Sequence, residues 1–128
     1  LLSDIAGEDP QLLLIKQYRY ATGDYLWEIP AGRLEDNERP EDCARRELLE
    51  EVGCHCTTLT PLTAIWTAPG FTNEKIHLFA ARGLTQGATA READEFMEVV
   101  PMPMSRALLM IRDGEISDAK TIAAILYV

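Results

Sequence analysis

The sequence predicts a mixed α/β domain, and three observations carry that expectation. Short apolar runs are bounded by turn residues, one glutamate-rich stretch at residues 41–52 contains neither Gly nor Pro, and the composition is that of a globular chain. At 128 residues, with 47% hydrophobic and 26% charged residues, the size and balance fit one domain around one modest core and exclude a disordered or fibrous chain.

Residues 11–17 form an apolar run bounded by Asp9-Pro10, and residues 25–29 are rich in aromatics and end at Pro30, so both read as strands. The Thr22-Gly23-Asp24 cluster between them is a turn signal that makes them neighbours in a sheet. Pro40 stands where a first helical turn accepts it, and the helix it opens is expected to run through Val52 to Gly53, a good C′ residue. Strands are expected around residues 57–66, 75–81 and 96–100, separated by Pro69-Gly70 and by a loop over residues 83–90. Residues 105–111 read as an amphipathic helix stopped at Asp113-Gly114, and residues 117–126 as a last helix begun by a capping Ser117.

Charge and cysteine usage narrow the partners. Twenty-one acids against twelve bases give a formal charge of −9, which disfavours adhesion to nucleic acid or anionic membranes. The longest apolar runs, residues 12–15 and 122–128, fall far short of the roughly 20 residues that span a bilayer. An anionic small-molecule ligand would need divalent cations to reverse the local sign. Cys43, Cys54 and Cys56 are an odd and sparse set, which points to a reducing cytoplasm rather than a disulfide scaffold. Strand alternation would turn Cys54 and Cys56 to one face, but no second ligand pair follows, so they read as packed thiols and not as a zinc site. The chain opens Leu1-Leu2-Ser3 without an initiator Met or a basic-then-apolar leader, and is expected to be a fragment lacking its native start.

The glutamate helix holds the chemistry. Glu47 and Glu51, four apart, lie one turn apart on one helix face, with Glu50 adjacent to both, while Leu48, Leu49 and Val52 supply the apolar side. Such acids repel unless something compensates them: a solvated face with Arg45 and Arg46 as partners, or a hard divalent cation such as Mg²⁺. The surrounding spacing favours the cation. Gly32, five residues, Glu38, seven residues, Arg46-Glu47, Leu48, any residue, Glu50-Glu51, any residue, Gly53 and Cys54 fill a pattern that resembles the Nudix box, with Cys54 in place of the final aliphatic residue as its one departure.

That resemblance implies the Nudix fold, a mixed β-sheet sandwiched between helices over a single domain at residues 1–128, and a metal-dependent hydrolase of phosphoanhydrides. It implies that Glu47 and Glu51 ligate Mg²⁺, with Mn²⁺ as the alternative ion, that Glu50 ligates or supports the metal, and that the Ala31 carbonyl is a further ligand. Arg46 would orient the glutamates, and Glu38 would brace the loop.

Flanking residues are similar to the ADP-ribose pyrophosphatase subfamily: Gln17-Tyr18-Arg19, Glu28-Ile29-Pro30-Ala31-Gly32, and Ala68-Pro69-Gly70-Phe71-Thr72-Asn73-Glu74, with Pro69 sixteen positions beyond Gly53. On residue chemistry alone, Pro69-Gly70 is a turn that lets backbone approach a ligand, Arg19 is a fork of donors suited to phosphate, and Glu74 is an acceptor for a ribose hydroxyl. The likeness implies that Arg19 and Glu74 contact the substrate and that Glu28 holds either Arg19 or the ribose. It places the general base in the acidic stretch 91–99, with Glu95 as first choice and Glu92 in reserve. Subfamily members carry additional N-terminal strands that help dimerise the protein and close over the adenine; most of that region is missing here, and a domain-swapped homodimer is expected by analogy. The expected activity is hydrolysis of ADP-ribose or a related nucleoside diphosphate sugar to AMP and ribose 5-phosphate. The alternatives are another sugar nucleotide such as GDP-mannose, or a module that binds ADP-ribose without cleaving it.

Overall fold

A computed structural model describes residues 2–3, 9–87 and 97–128 of the chain. In chain order these form strands β1 (Leu2–Ser3), β2 (Gln11–Arg19) and β3 (Asp24–Glu28), helix α1 (Pro40–Glu47), a π-helical turn (Leu48–Val52), strands β4 (Cys54–Trp66), β5 (Lys75–Gln86) and β6 (Met97–Pro103), and helices α2 (Met104–Arg112) and α3 (Ala119–Tyr127).

The α/β fold expected from the sequence stands, and the strands divide into two sheets. The first has β2 at its centre, paired with β6 over Gln11 to Gln17 and with β1 and then β3 along its other edge. The second is the long β4–β5 hairpin. Every pairing among the described strands is antiparallel.

β2 explains the layering, because its side chains alternate between two cores. Leu12 and Leu14 pack with Ala107, Met110, Ile116 and Ile125, which come from α2, the turn after it and α3. Leu13 points the other way, with Val99, onto Leu48 and Val52 of the π turn and Ala81 of β5. The sheet is therefore enclosed by α2 and α3 on one face and by the glutamate segment with the hairpin on the other. Leu14 is wholly buried, and truncation to Ala would cost about 2–5 kcal/mol.

Several expected boundaries shift for physical reasons. The helix read as continuous over residues 41–52 is α-helical only to Glu47 and then widens into the π turn, which Gly53 closes in the left-handed conformation at φ 74°. The strand expected at residues 75–81 continues to Gln86 through what was expected to be loop; Gly83 permits this with φ 67°, since a Cβ there would strike Thr57 on the paired strand. The strand expected to end at residue 100 runs to Pro103 despite Pro101 and Pro103, because β6 pairs with β2 alone among the described strands and the prolines need donate to no second neighbour. Pro61 in β4 is accommodated by a bulge between it and Thr63. The last helix is capped by Asp118, not Ser117: the Asp118 carboxylate accepts from the Thr121 N–H at 3.2 Å and also from Lys120.

Candidate active site

The site forms where β2, β3, the turn after β3, the glutamate segment and the start of α3 meet. A cavity of about 800 Å³ opens there, lined among others by Arg19, Ala31, Gly32, Glu47, Glu74 and Lys120.

α1 presents its acids with help from its own electrostatics. Glu41 and Asp42 sit in its first turn and Arg45 and Arg46 in its last, each complementing the helix dipole. Arg46 is the hub. Its Nε and Nη2 donate to both oxygens of Glu38 at 2.8 and 2.9 Å, its Nη1 donates to Glu47 at 2.8 Å and Glu50 at 3.2 Å, and its Nη2 donates to the Arg33 carbonyl at 3.0 Å. Arg46 thus bridges Glu38, Glu47 and Glu50, and Glu38 also accepts the Glu35 N–H at 3.0 Å. The Arg46 bond, with the Glu35 amide, holds the Glu38 carboxyl down at about 2.

Glu47 and Glu51 are differently placed. Burial pushes the Glu47 carboxyl up, and the Arg46 bond only partly offsets it. A Cβ at Gly32 would overlap that carboxylate, so Gly lets the main chain close on Glu47. Burial likewise pushes Glu51 up to about 7, against the Ala31 N–H, which donates to it at 3.0 Å. Among the described residues no cation lies within ion-pair distance of Glu51; the nearest compensation is the more distant field of Arg19. Glu50 is 58% exposed on the Arg46 side and is not part of the cavity wall.

Among the described residues no three acidic, histidine or cysteine side chains converge into a cage for a metal ion. Arg46 instead draws Glu47 and Glu50 to one side, while Ala31 holds Glu51. The donor set nonetheless suits Mg²⁺, which takes one or two carboxylates and completes its shell with water and substrate phosphate. Glu47 on the cavity wall and Glu51 one turn further along the helix meet that requirement, and the Ala31 main chain lies against Glu51.

Opposite this pair is a closed ionic network. Glu28, 3% exposed at the end of β3, accepts from Arg19 Nε and Nη2 at 2.8 and 2.9 Å and from Lys120 Nζ at 2.7 Å. Burial alone would raise its carboxyl, but these bonds outweigh burial and hold it below its usual value. Two of these three bonds tie Glu28 to Arg19. Lys120 also donates to Asp118 at 2.9 Å, and Thr121 Oγ1 donates to Asp118 at 2.6 Å while accepting the Ile29 N–H at 3.0 Å. Lys120, Asp118 and Thr121 are absent from the sequence reading. A signal existed: Lys120 is the one charged residue in α3, a lone cation on an otherwise apolar helix.

The β4–β5 loop brings Glu74 to the cavity wall, where its carboxylate accepts from Thr67 Oγ1 at 2.8 Å. Pro69 and Gly70 do not reach the wall. They form the exposed tip, a tight turn in which the Phe71 and Thr72 N–H groups both donate to the Ala68 carbonyl. Glu92 and Glu95, the expected general bases, lie outside the described residues. Cys54 and Cys56 pack beside Leu48, Val52 and Ala81, and all three cysteines are free thiols. No helix among the described residues is long and apolar enough to cross a membrane.

Comparison with known proteins gives this geometry a context. Residues 3–125 match the model of the NUDIX domain. The chain is 41% identical over 122 residues to an ADP-ribose pyrophosphatase of Bacillus subtilis, covering 94% of this chain and 66% of the relative. It is 39% identical over 125 residues to a GDP-mannose pyrophosphatase of Yersinia enterocolitica, covering 91% of this chain and 65% of the relative. The chain thus spans about two thirds of the length of these relatives. In fold it is similar to a crystal structure of an ADP compounds hydrolase, with a TM-score of 0.83 at 24% identity over 98% of this chain and 66% of that one.

Proposed function

Because the chain belongs to the NUDIX domain family, we propose that it is a Mg²⁺-dependent hydrolase of nucleoside diphosphate sugars, with ADP-ribose cleaved to AMP and ribose 5-phosphate. One observation carries the reading: Glu47 and Glu51 are half-buried carboxylates one helical turn apart whose burial pushes both carboxyls up, and Glu47 lines a cavity whose other walls carry Arg19 and Lys120. The name of the Bacillus subtilis relative supports ADP-ribose as substrate.

In this reading Glu47 and Glu51 hold the metal, with the Ala31 carbonyl as a further ligand and Glu50 in support. When bound, Mg²⁺ would supply charge neutralisation of the diphosphate and would lower the pKa of a water, with Mn²⁺ as a substitute ion. Arg46 fixes the directions of Glu47 and Glu50. Arg19, itself held by Glu28, offers its guanidinium to the substrate phosphates, and Glu74 accepts from a ribose hydroxyl. Glu95, with Glu92 in reserve, takes the proton of the attacking water. Pro69 and Gly70 contact substrate only if the hairpin tip folds over the cavity. A single domain, a homodimer and a cytoplasmic setting, which suits three free thiols, complete the proposal.

GDP-mannose is the second reading, favoured by the name of the Yersinia relative. The test is product analysis with Mg²⁺ and, in parallel, ADP-ribose, GDP-mannose and a dinucleoside polyphosphate. AMP with ribose 5-phosphate, released fastest from ADP-ribose, is the expected result. Faster release of GMP from GDP-mannose would transfer the proposal to that substrate, and ADP-ribose bound but uncleaved would make the chain a binding module.

A further inference from the structure

We infer that Thr121 is a positioning residue for the metal site, acting from the far helix α3 through the main chain of the Ile29-Pro30-Ala31 turn. The inference rests on the reading of Glu47 and Glu51 as metal ligands. Thr121 is wholly buried, and both functions of its hydroxyl are used: it accepts the Ile29 N–H at 3.0 Å and donates to Asp118 Oδ2 at 2.6 Å. The Asp118 carboxylate is fixed in turn by the Thr121 N–H and by Lys120, so the hydroxyl proton points to Asp118 and its lone pair faces Ile29.

Two residues beyond Ile29, the Ala31 N–H donates to the Glu51 carboxylate at 3.0 Å. Pro30 lies between them, and its ring fixes one backbone angle of the link, so a displacement at Ile29 is carried to Ala31 rather than absorbed. Ile29 also packs against the core formed by Leu12, Leu14 and α3, so the turn is held by packing and by one hydrogen bond from a side chain 92 residues away. The hydroxyl therefore sets the position of the main chain that faces the metal-binding carboxylate. Nothing in a local reading of α3, where a buried Thr stands among Ile and Ala, would assign it that task.

The experiment is a Mn²⁺ titration of the full chain, followed by electron paramagnetic resonance, for the wild type, Thr121→Val and Thr121→Ser, with melting temperatures alongside. Outer partners that orient metal ligands cost 10- to 100-fold in affinity when removed, so Thr121→Val is expected to weaken Mn²⁺ binding by about tenfold. Thr121→Ser, which keeps the hydroxyl, is expected to stay within about twofold of the wild type. Mn²⁺ binding unchanged in a folded Thr121→Val overturns the inference and leaves the metal site standing. Equal weakening in the Ser and Val variants also overturns it, since the methyl group and not the hydroxyl would then matter. A wild type that binds no Mn²⁺ overturns the metal site and this inference together. Should Thr121→Val fail to fold, Thr121→Ala removes the hydroxyl without adding bulk and is read by the same criteria.

Discussion

Glu28 on β3 is a buried glutamate and Glu51 on the π turn a half-buried one, and the protein treats them in opposite ways. Glu28 receives a bidentate guanidinium from Arg19 and the ammonium of Lys120, and its carboxyl is held low. Glu51 receives one backbone amide and no ion pair among the described residues, and burial lifts it to about 7. A buried carboxylate matched by side-chain cations is part of the scaffold. One left unmatched keeps an affinity for positive charge that a metal ion can satisfy.

The contrast can be broken by exchanging the two phenotypes. Glu51→Gln keeps the shape and the bond from Ala31 but removes the charge; turnover is expected to fall by more than about a hundredfold, beyond the loss seen for outer-sphere partners, with thermal stability equal or higher. Steady-state kinetics and a thermal melt check this together, and unchanged kcat would end the assignment of Glu51 to the metal. Glu28→Ala should do the reverse at the level of folding. It leaves Lys120 buried without its main partner, at a cost of about 3 kcal/mol in urea unfolding. If stability is unaffected there, the ionic network is ornamental to the fold.

A third test sharpens the comparison through pH. The Glu38 carboxyl is held down at about 2 by Arg46 and the Glu35 amide, against an ordinary value of 4.5. A depressed acid contributes stability above its unfolded value, and that contribution disappears as pH falls from 4.5 through about 2. Metal-free Glu38→Gln is therefore expected to lose less stability than the wild type across that window, by acid-dependent thermal melts. Parallel curves would show that Glu38 and Arg46 contribute nothing beyond screened surface charge.

Much of this was legible because it was local. Arg46, Glu47, Glu50, Glu51 and Gly53 stand at fixed offsets in one helical segment, and β2 and β3 are joined by a turn with a clear Gly signal. The π winding was not legible, because Leu48 and Val52 satisfy a 3.6-residue pattern equally well and the register is set by packing against Ala81. Lys120, Asp118 and Thr121 escaped for a related reason: their partners Glu28 and Ile29 are about 90 residues away, and no periodicity reports such a contact. The strand at 96–100 was expected to stop before Pro101, and only its pairing with β2 alone among the described strands explains why β6 passes through its prolines, as the bulge does for Pro61 in β4.

Because neighbouring residues of β2 face separate compartments, an inserted residue there would send Leu12 and Leu14 toward the glutamates and Leu13 toward the helices, ruining both interiors at once. The tip at Pro69-Gly70 has no such tie, with open space around Gly70. Changes of length are thereby tolerated at the hairpin tip, which can lengthen or change composition freely, while the strand between the two cores stays fixed in length.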